Sequence, residues 1–247
     1  MDAQPAPQSL STIIETCRPE DRPHLARVLL AQCRRPGRYG VCAVNHWLLA
    51  TPPAAIPETL RAIWSAGVSQ AAWTLAVGLQ WIGGSHTVMQ AAGNIGTLRE
   101  WLRRADLMRP LAFMASKFHA AADLPPRIKV YRGGSTARAF LKDGLSWTPN
   151  RSTAAHYALK RQMEHGGAAV IVCTKVTPDM LALATNTVES EYVTLDARAS
   201  WPDATDPATI AALVFKHRSR WEAGAARDVI SLQLDDEAGW RGWTGDD

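Results

Sequence analysis

Hydrophobic positions follow different patterns in the two halves of this chain. From about residue 10 to 123, small and apolar residues recur at intervals of three and four, which is the spacing of helices. After Pro125-Pro126 the pattern changes to short, β-branched apolar runs between turn residues, which is typical of strands. The pattern predicts an α+β protein with a helical N-terminal region, 1–123, followed by a mixed region, 124–247.

Capping and turn signals divide the N-terminal region into separate helices. The run TLRE at 97–100 has the form of a capping box, in which the Thr97 hydroxyl accepts a hydrogen bond from the Glu100 amide. Three further helices are predicted. One begins at Pro57 and ends at Gly67, and another covers 71–81 and ends at Gly83-Gly84. The third covers 109–123.

The second region is predicted to alternate strands with two helices. One helix covers 152–165, with Ser152 as its N-cap. The other runs to about 223, with Asp206 as the N-cap and Pro207 at the first helical position. Strands are predicted over 128–131, 144–147, 168–176, 191–196 and 228–234.

Composition narrows the class of protein. A hydrophobic content of 47% over 247 residues is enough for a substantial core. No apolar run approaches the roughly 18 residues that a transmembrane helix needs, and the start MDAQPAPQSL lacks the pattern of a secretory signal, so no membrane partner is expected. The four cysteines form no CxxC pair, so we expect reduced thiols in a cytoplasmic protein and no metal site.

The basic excess lies in the first half of the chain. Residues 1–126 carry 12 Lys and Arg against 8 Asp and Glu, whereas 127–247 carry 15 of each sign. The run CRRPGRYG at 33–40 could contact nucleic acid or an acidic partner. Arginines near helix ends are commonly solvated, so nucleic acid is not the favoured partner.

Three polar stretches interrupt the predicted strands: YRGG at 131–134, SWT at 146–148 and ESE at 189–191. Because alternate side chains of a strand share a face, Ser146 and Thr148 are predicted on one face and Trp147 on the other. The same rule places Glu189 and Glu191 on a common face. An arginine, two hydroxyls and two carboxylates are what a cleft needs to bind an anionic, sugar-bearing ligand.

The order of these stretches resembles the arginine-serine-glutamate class of ADP-ribosyltransferases, in particular its bacterial and phage members. The resemblance extends from about Arg127 to Ala197. It implies a split β core and an enzyme that transfers ADP-ribose from NAD to a protein side chain. The matching positions are Arg132, Ser146 with Thr148, and Glu189 with Glu191. Trp147 departs from the family, since it replaces the middle residue of a Ser-Thr-Ser triplet.

The resemblance also implies roles for the matching residues. Glu191 would stabilise the cationic ribose that forms as the nicotinamide bond breaks, through the ribose 2′-hydroxyl. Arg132 would hold phosphate or ribose oxygens, and Ser146 would position Glu191. Glu189 would bind the acceptor and take its proton, which in the family goes with arginine as the acceptor.

Besides Arg132 and Ser146, four further positions are candidates for binding NAD. Gly133 and Thr148 belong to the matching stretches, and an aromatic ring is expected to stack on the nicotinamide and its ribose. The candidates for that ring are Trp147 and Tyr157.

Two other functions stay open at this point. The first is an NAD glycohydrolase, in which water is the acceptor. The second is a non-catalytic protein whose helical region binds a macromolecule. The acceptor protein is not specified by the sequence, nor is the role of the chain as a toxin, a phage-borne modifier of its host or a regulator.

Overall fold

The computed structural model describes residues 22–137, 144–187, 189–195, 200–204 and 206–225. These residues form helices and small antiparallel sheets, which confirms the α+β class. They divide into two compact units, the first ending at Ala105 and the second beginning at Asp106.

The first unit is helical and has an aromatic core. The rings of Trp64, Trp73 and Trp101 have centroids 4.9 to 5.7 Å apart. Trp73 is fully buried, and its Nε1 donates a hydrogen bond to the Trp101 carbonyl at 3.0 Å. The helices are α1 (Arg22–Cys33), α2 (Gly37–Ala50), α3 (Ile56–Ser65), α4 (Gln70–Ala92) and α5 (Ile95–Ala105).

Two predicted helix ends in this unit need correction. Helix α5 begins two residues before Thr97, and the Asn94 side chain accepts a hydrogen bond from the Thr97 amide at 2.9 Å. Asparagine is a preferred N-cap, so Asn94 takes the place predicted for Thr97. Helix α4 continues to Ala92, but Gly84 interrupts its helical backbone with a φ of 155°, close to the predicted end.

The predicted helix over 109–123 does not form. Only two 3-10 turns occur there, Ala112–Met114 and Ala121–Asp123. Between them Phe118 forms an isolated β-bridge with Thr185. This backbone pairs with the residue that follows the strand Leu181–Ala184 of the second unit, which explains why that unit begins before residue 124.

The described residues of the second unit form two three-stranded antiparallel sheets. Their strand orders are β1-β3-β6 and β2-β5-β4. The sheets are linked at Tyr131 and Thr148, whose amides and carbonyls exchange hydrogen bonds of 2.7 and 2.9 Å. The strands are β1 (Ile128–Ser135), β2 (Ser146–Trp147), β3 (Ala169–Val176), β4 (Leu181–Ala184), β5 (Tyr192–Thr194) and β6 (Trp201–Ala204).

Four of the predicted strands are thereby confirmed, although β1 runs further and β2 and β5 are shorter than expected. The strand predicted over 228–234 lies outside the described residues.

Two α-helices occur in the described part of this unit, α6 (Arg151–His165) and α7 (Pro207–Ala225). A Cβ at Gly133 would lie 1.8 Å from the Ala154 carbonyl oxygen, so the glycine allows α6 to lie directly on β1. The contacts of Gly133 are therefore with a helix, and its predicted contact with a ligand stays a prediction.

The predicted caps of these two helices have different outcomes. Ser152 lies inside α6, which begins after Asn150, so Ser152 is not the N-cap. Asp206 does cap α7, because its Oδ2 accepts a hydrogen bond from the Thr209 amide at 2.8 Å.

Candidate active site

Arg132 lies in β1 and connects it to the start of β2. Its Nη1 donates to the Ser146 carbonyl at 2.6 Å. A Cβ at Gly144 would lie 1.8 Å from the Arg132 Cζ, so the guanidinium lies against a residue without a side chain. Burial and the charge of Arg161 lower the pKa of Arg132, and Glu191 opposes this shift. Arginine remains protonated in proteins, so the site holds a positive charge that interacts with the charge of Glu191.

The ESE stretch is a turn and not part of a strand. Ser190 has a φ of 47°, and its amide donates to the Thr187 carbonyl at 3.0 Å. Strand β5 begins only at Tyr192. The prediction that Glu189 and Glu191 share a face by strand alternation is therefore wrong, because the left-handed residue between them breaks the alternation.

Two threonines hold this turn in place. The Thr148 hydroxyl donates to the Glu189 carbonyl at 2.9 Å and accepts from the Asn150 amide at 3.1 Å. Thr185 Oγ1 accepts from the Glu191 amide at 2.7 Å. Thr148 was predicted to contact the ligand, but its hydroxyl is buried and engaged in positioning the turn.

Tyr157 reaches the turn from helix α6. Its hydroxyl donates to Glu189 Oε2 at 2.9 Å. Burial raises the pKa of the Tyr157 phenol, and the negative charges of Glu189 and Glu191 raise it further. Tyr157, predicted from its residue type alone, thus lies among the predicted catalytic residues.

Trp147 and Ser146 have opposite environments on strand β2. Trp147 is only 2% exposed and belongs to the same core cluster as Ile128, Val130 and Tyr192. A ring in that position cannot stack on a ligand, so the prediction that Trp147 binds NAD is corrected. Ser146 is exposed, as expected for the adjacent position of a strand with one buried face.

Arg161 is a second cation near the site that the motifs do not include. It lies one helical turn after Tyr157, and its charge lowers the pKa of both Tyr157 and Arg132. Its exposed Nη1 donates to Glu164 at 2.8 Å. The signal in the sequence was the four-residue spacing from Tyr157, which places both side chains on one helix face.

The site therefore combines two guanidiniums, two carboxylates and one phenol. Guanidiniums suit phosphate oxygens, and fixed carboxylates stabilise positive charge that develops during a reaction. Among the described residues, no group of three His, Cys, Asp or Glu side chains is arranged to hold a metal ion. No helix within the described ranges is both long enough and apolar enough to cross a membrane.

Comparison of the chain with protein-family models gives no match, and comparisons with curated proteins and with solved structures also give none.

Proposed function

We propose that this protein transfers ADP-ribose from NAD to a protein side chain, with arginine as the favoured acceptor. The observation that carries the proposal is that Arg132, Tyr157, Glu189 and Glu191 come together from a strand, a helix and a turn. The half-buried Tyr157 phenol donates to one of the two carboxylates, and gatherings of titratable groups that perturb one another are common in functional sites. The motif order that resembles the arginine-serine-glutamate class supports the same function.

NAD fits this set of side chains as a substrate. Its diphosphate is an anion of the kind that Arg132 and Arg161 would bind, since a guanidinium donates two parallel hydrogen bonds to phosphate oxygens. Its ribose hydroxyls would donate to carboxylate oxygens. Glu191 is assigned to the ribose because it is the second glutamate of the E-x-E motif in the class that the sequence resembles.

The reaction breaks the bond between the ribose C1′ and the nicotinamide nitrogen, and the electron pair leaves with nicotinamide. Positive charge then develops on the ribose, and the Glu191 carboxylate stabilises it more strongly as it grows. A nitrogen of the acceptor attacks C1′ and forms the new bond. The proton that it loses passes to Glu189.

The proposal places the reaction in a cytoplasm, either of the producing cell or of a targeted one. The described cysteines, Cys33, Cys42 and Cys173, are free thiols, which is usual in reducing compartments.

This function is tested by incubating the protein with NAD that is labelled in its adenylate portion and with agmatine, an arginine analogue. A transferase releases nicotinamide and labels agmatine, and Glu189→Ala should abolish labelling while sparing NAD cleavage. Release of nicotinamide with no label on agmatine or on cell protein would instead establish a glycohydrolase. No nicotinamide release and no stabilisation by NAD would favour a non-catalytic binding protein.

A further inference from the structure

We infer that Tyr157 is a positioning residue, which fixes the Glu189 carboxylate and thereby decides whether ADP-ribose passes to a side chain or to water. This inference rests on the proposed function. Tyr157 would have no contact with the reacting atoms itself, since its hydroxyl is occupied by a hydrogen bond to Glu189 Oε2 at 2.9 Å.

The phenol has a rigid support. Ala154 and Ala158, on either side of it in helix α6, are 1% and 0% exposed. Both lie against Gly133 of β1, where a Cβ would be only 1.8 Å from the Ala154 oxygen and 2.5 Å from the Ala158 nitrogen. Close packing of backbone on backbone leaves the helix little freedom to move relative to the strand. Tyr157 therefore presents its hydroxyl at a fixed place.

Glu189 needs such support because the turn that carries it is locally strained. Ser190 has a φ of 47°, a conformation that residues with a side chain rarely adopt. The Thr148 hydroxyl holds the Glu189 backbone, and Tyr157 holds its carboxylate. A hydrogen bond to an ionised acceptor is stronger than one between neutral groups, so it restricts the long side chain effectively.

The second glutamate is anchored in another way. The Glu191 amide and carbonyl both bind Thr185, at 2.7 and 2.8 Å. Loss of the Tyr157 hydroxyl would therefore release the Glu189 carboxylate and leave the Glu191 backbone in place. The two glutamates have separate functions in the proposed reaction. Loss of the Tyr157 hydroxyl should therefore reduce transfer of ADP-ribose to a side chain relative to its transfer to water.

Tyr157→Phe removes the hydroxyl and keeps the ring. In one reaction with labelled NAD and agmatine, both nicotinamide release and labelled agmatine are measured. We expect the ratio of labelled agmatine to released nicotinamide to fall about 10-fold, as for loss of one hydrogen bond to a charged group. Tyr192→Phe is the matched control, because it removes a phenol hydroxyl from a residue of the core, and it should leave the labelled fraction unchanged.

The outcomes separate this inference from the proposed function. If wild type labels agmatine and Tyr157→Phe loses both rates equally, or keeps the labelled fraction, Tyr157 is merely structural and the inference is overturned. If wild type itself neither labels agmatine nor releases nicotinamide, the proposed function fails first and the inference fails with it.

Discussion

Each unit of the molecule brings an arginine close to an aromatic ring, but the two arrangements differ in kind. In the helical unit, the Arg104 Cζ lies 4.9 Å from the Trp64 ring centroid, and Nη2 donates to the Val68 carbonyl at 2.6 Å. That arginine covers the edge of an aromatic core. In the second unit, the charge of Arg161 acts on the Tyr157 phenol, which binds a carboxylate.

This difference supports our proposal that the second unit carries the chemistry. In the aromatic cluster, Trp73 Nε1 and Arg104 Nη2 donate hydrogen bonds to backbone carbonyls. A stable core requires such partners for its polar groups. The second unit instead gathers charges of both signs around one hydroxyl, an arrangement that is common in functional sites. Substitutions in the first cluster should therefore change stability, and substitutions in the second should change activity.

The largest effect is expected from Trp73→Ala in the helical unit. Trp73 is 0% exposed, and its removal leaves a large cavity, which typically costs about 3–5 kcal/mol of unfolding free energy. Denaturant unfolding measures the loss. Nicotinamide release per folded molecule should be unchanged, and a loss of stability below about 1 kcal/mol would contradict the assignment of Trp73 to the core.

The next largest effect is expected from Glu191→Gln. The variant keeps the size of the side chain and removes its charge, so we expect nicotinamide release to fall at least about 10²-fold, as when a preorganised electrostatic group is lost. Single-turnover rates measure the effect, and an unchanged unfolding midpoint serves as the control. Full activity would remove Glu191 from the mechanism.

A smaller effect tests a charge cluster of the second unit that lies apart from the proposed chemistry. Asp203 binds Arg151 at 2.5 Å and Lys129 at 3.1 Å. Burial alone would raise the pKa of Asp203, but the hydrogen bonds from Arg151 and Lys129 outweigh it and lower the pKa.

The stabilisation from Asp203 is present above its ordinary pKa of 3.8 and is lost as the pH falls through the lower pKa of the folded state. Because both cations are partly exposed, Asp203→Asn should cost only about 1–2 kcal/mol at neutral pH. The difference in unfolding free energy between wild type and variant should disappear below about pH 4. An equal gap at all pH values would refute the ion pairs as its cause.

The smallest effect concerns Tyr157 at alkaline pH. Its phenol pKa is raised above the ordinary value of 10.0, so only the unfolded state ionises as the pH passes that value. Stability is then lost with rising pH until the folded-state pKa is reached. Relative to Tyr157→Phe, wild type should lose about 0.8 kcal/mol of unfolding free energy by about pH 10.5. Unfolding free energies that change with pH equally in the two proteins would contradict the raised pKa.

The sequence predicted the elements whose patterns are local. Strand β3 contains the β-branched run 170–172, and helix α6 begins and ends within a residue of its predicted bounds. The segment 109–123 was misjudged because its backbone pairs with Thr185, a contact distant in sequence that no local pattern contains.

The residues of the site were predicted from motifs, but the geometric reason given for the two glutamates is wrong. The charge of Glu191 acts on Arg132 and Tyr157 binds Glu189, yet strand alternation does not bring the glutamates together, since Ser190 is left-handed. Trp147 was misplaced because a large aromatic ring in a two-residue strand is drawn into the core. These outcomes depend on tertiary packing, which the motif alone does not specify.

A structure of the Glu191→Gln variant with bound NAD tests the central claim most directly. The substitution should slow cleavage enough for the intact dinucleotide to be seen. We predict that the nicotinamide ribose lies within hydrogen-bond distance of position 191 and that the diphosphate lies against Arg132 and Arg161. NAD bound elsewhere on the protein, or no binding at millimolar NAD, would contradict the claim that these residues form one active site.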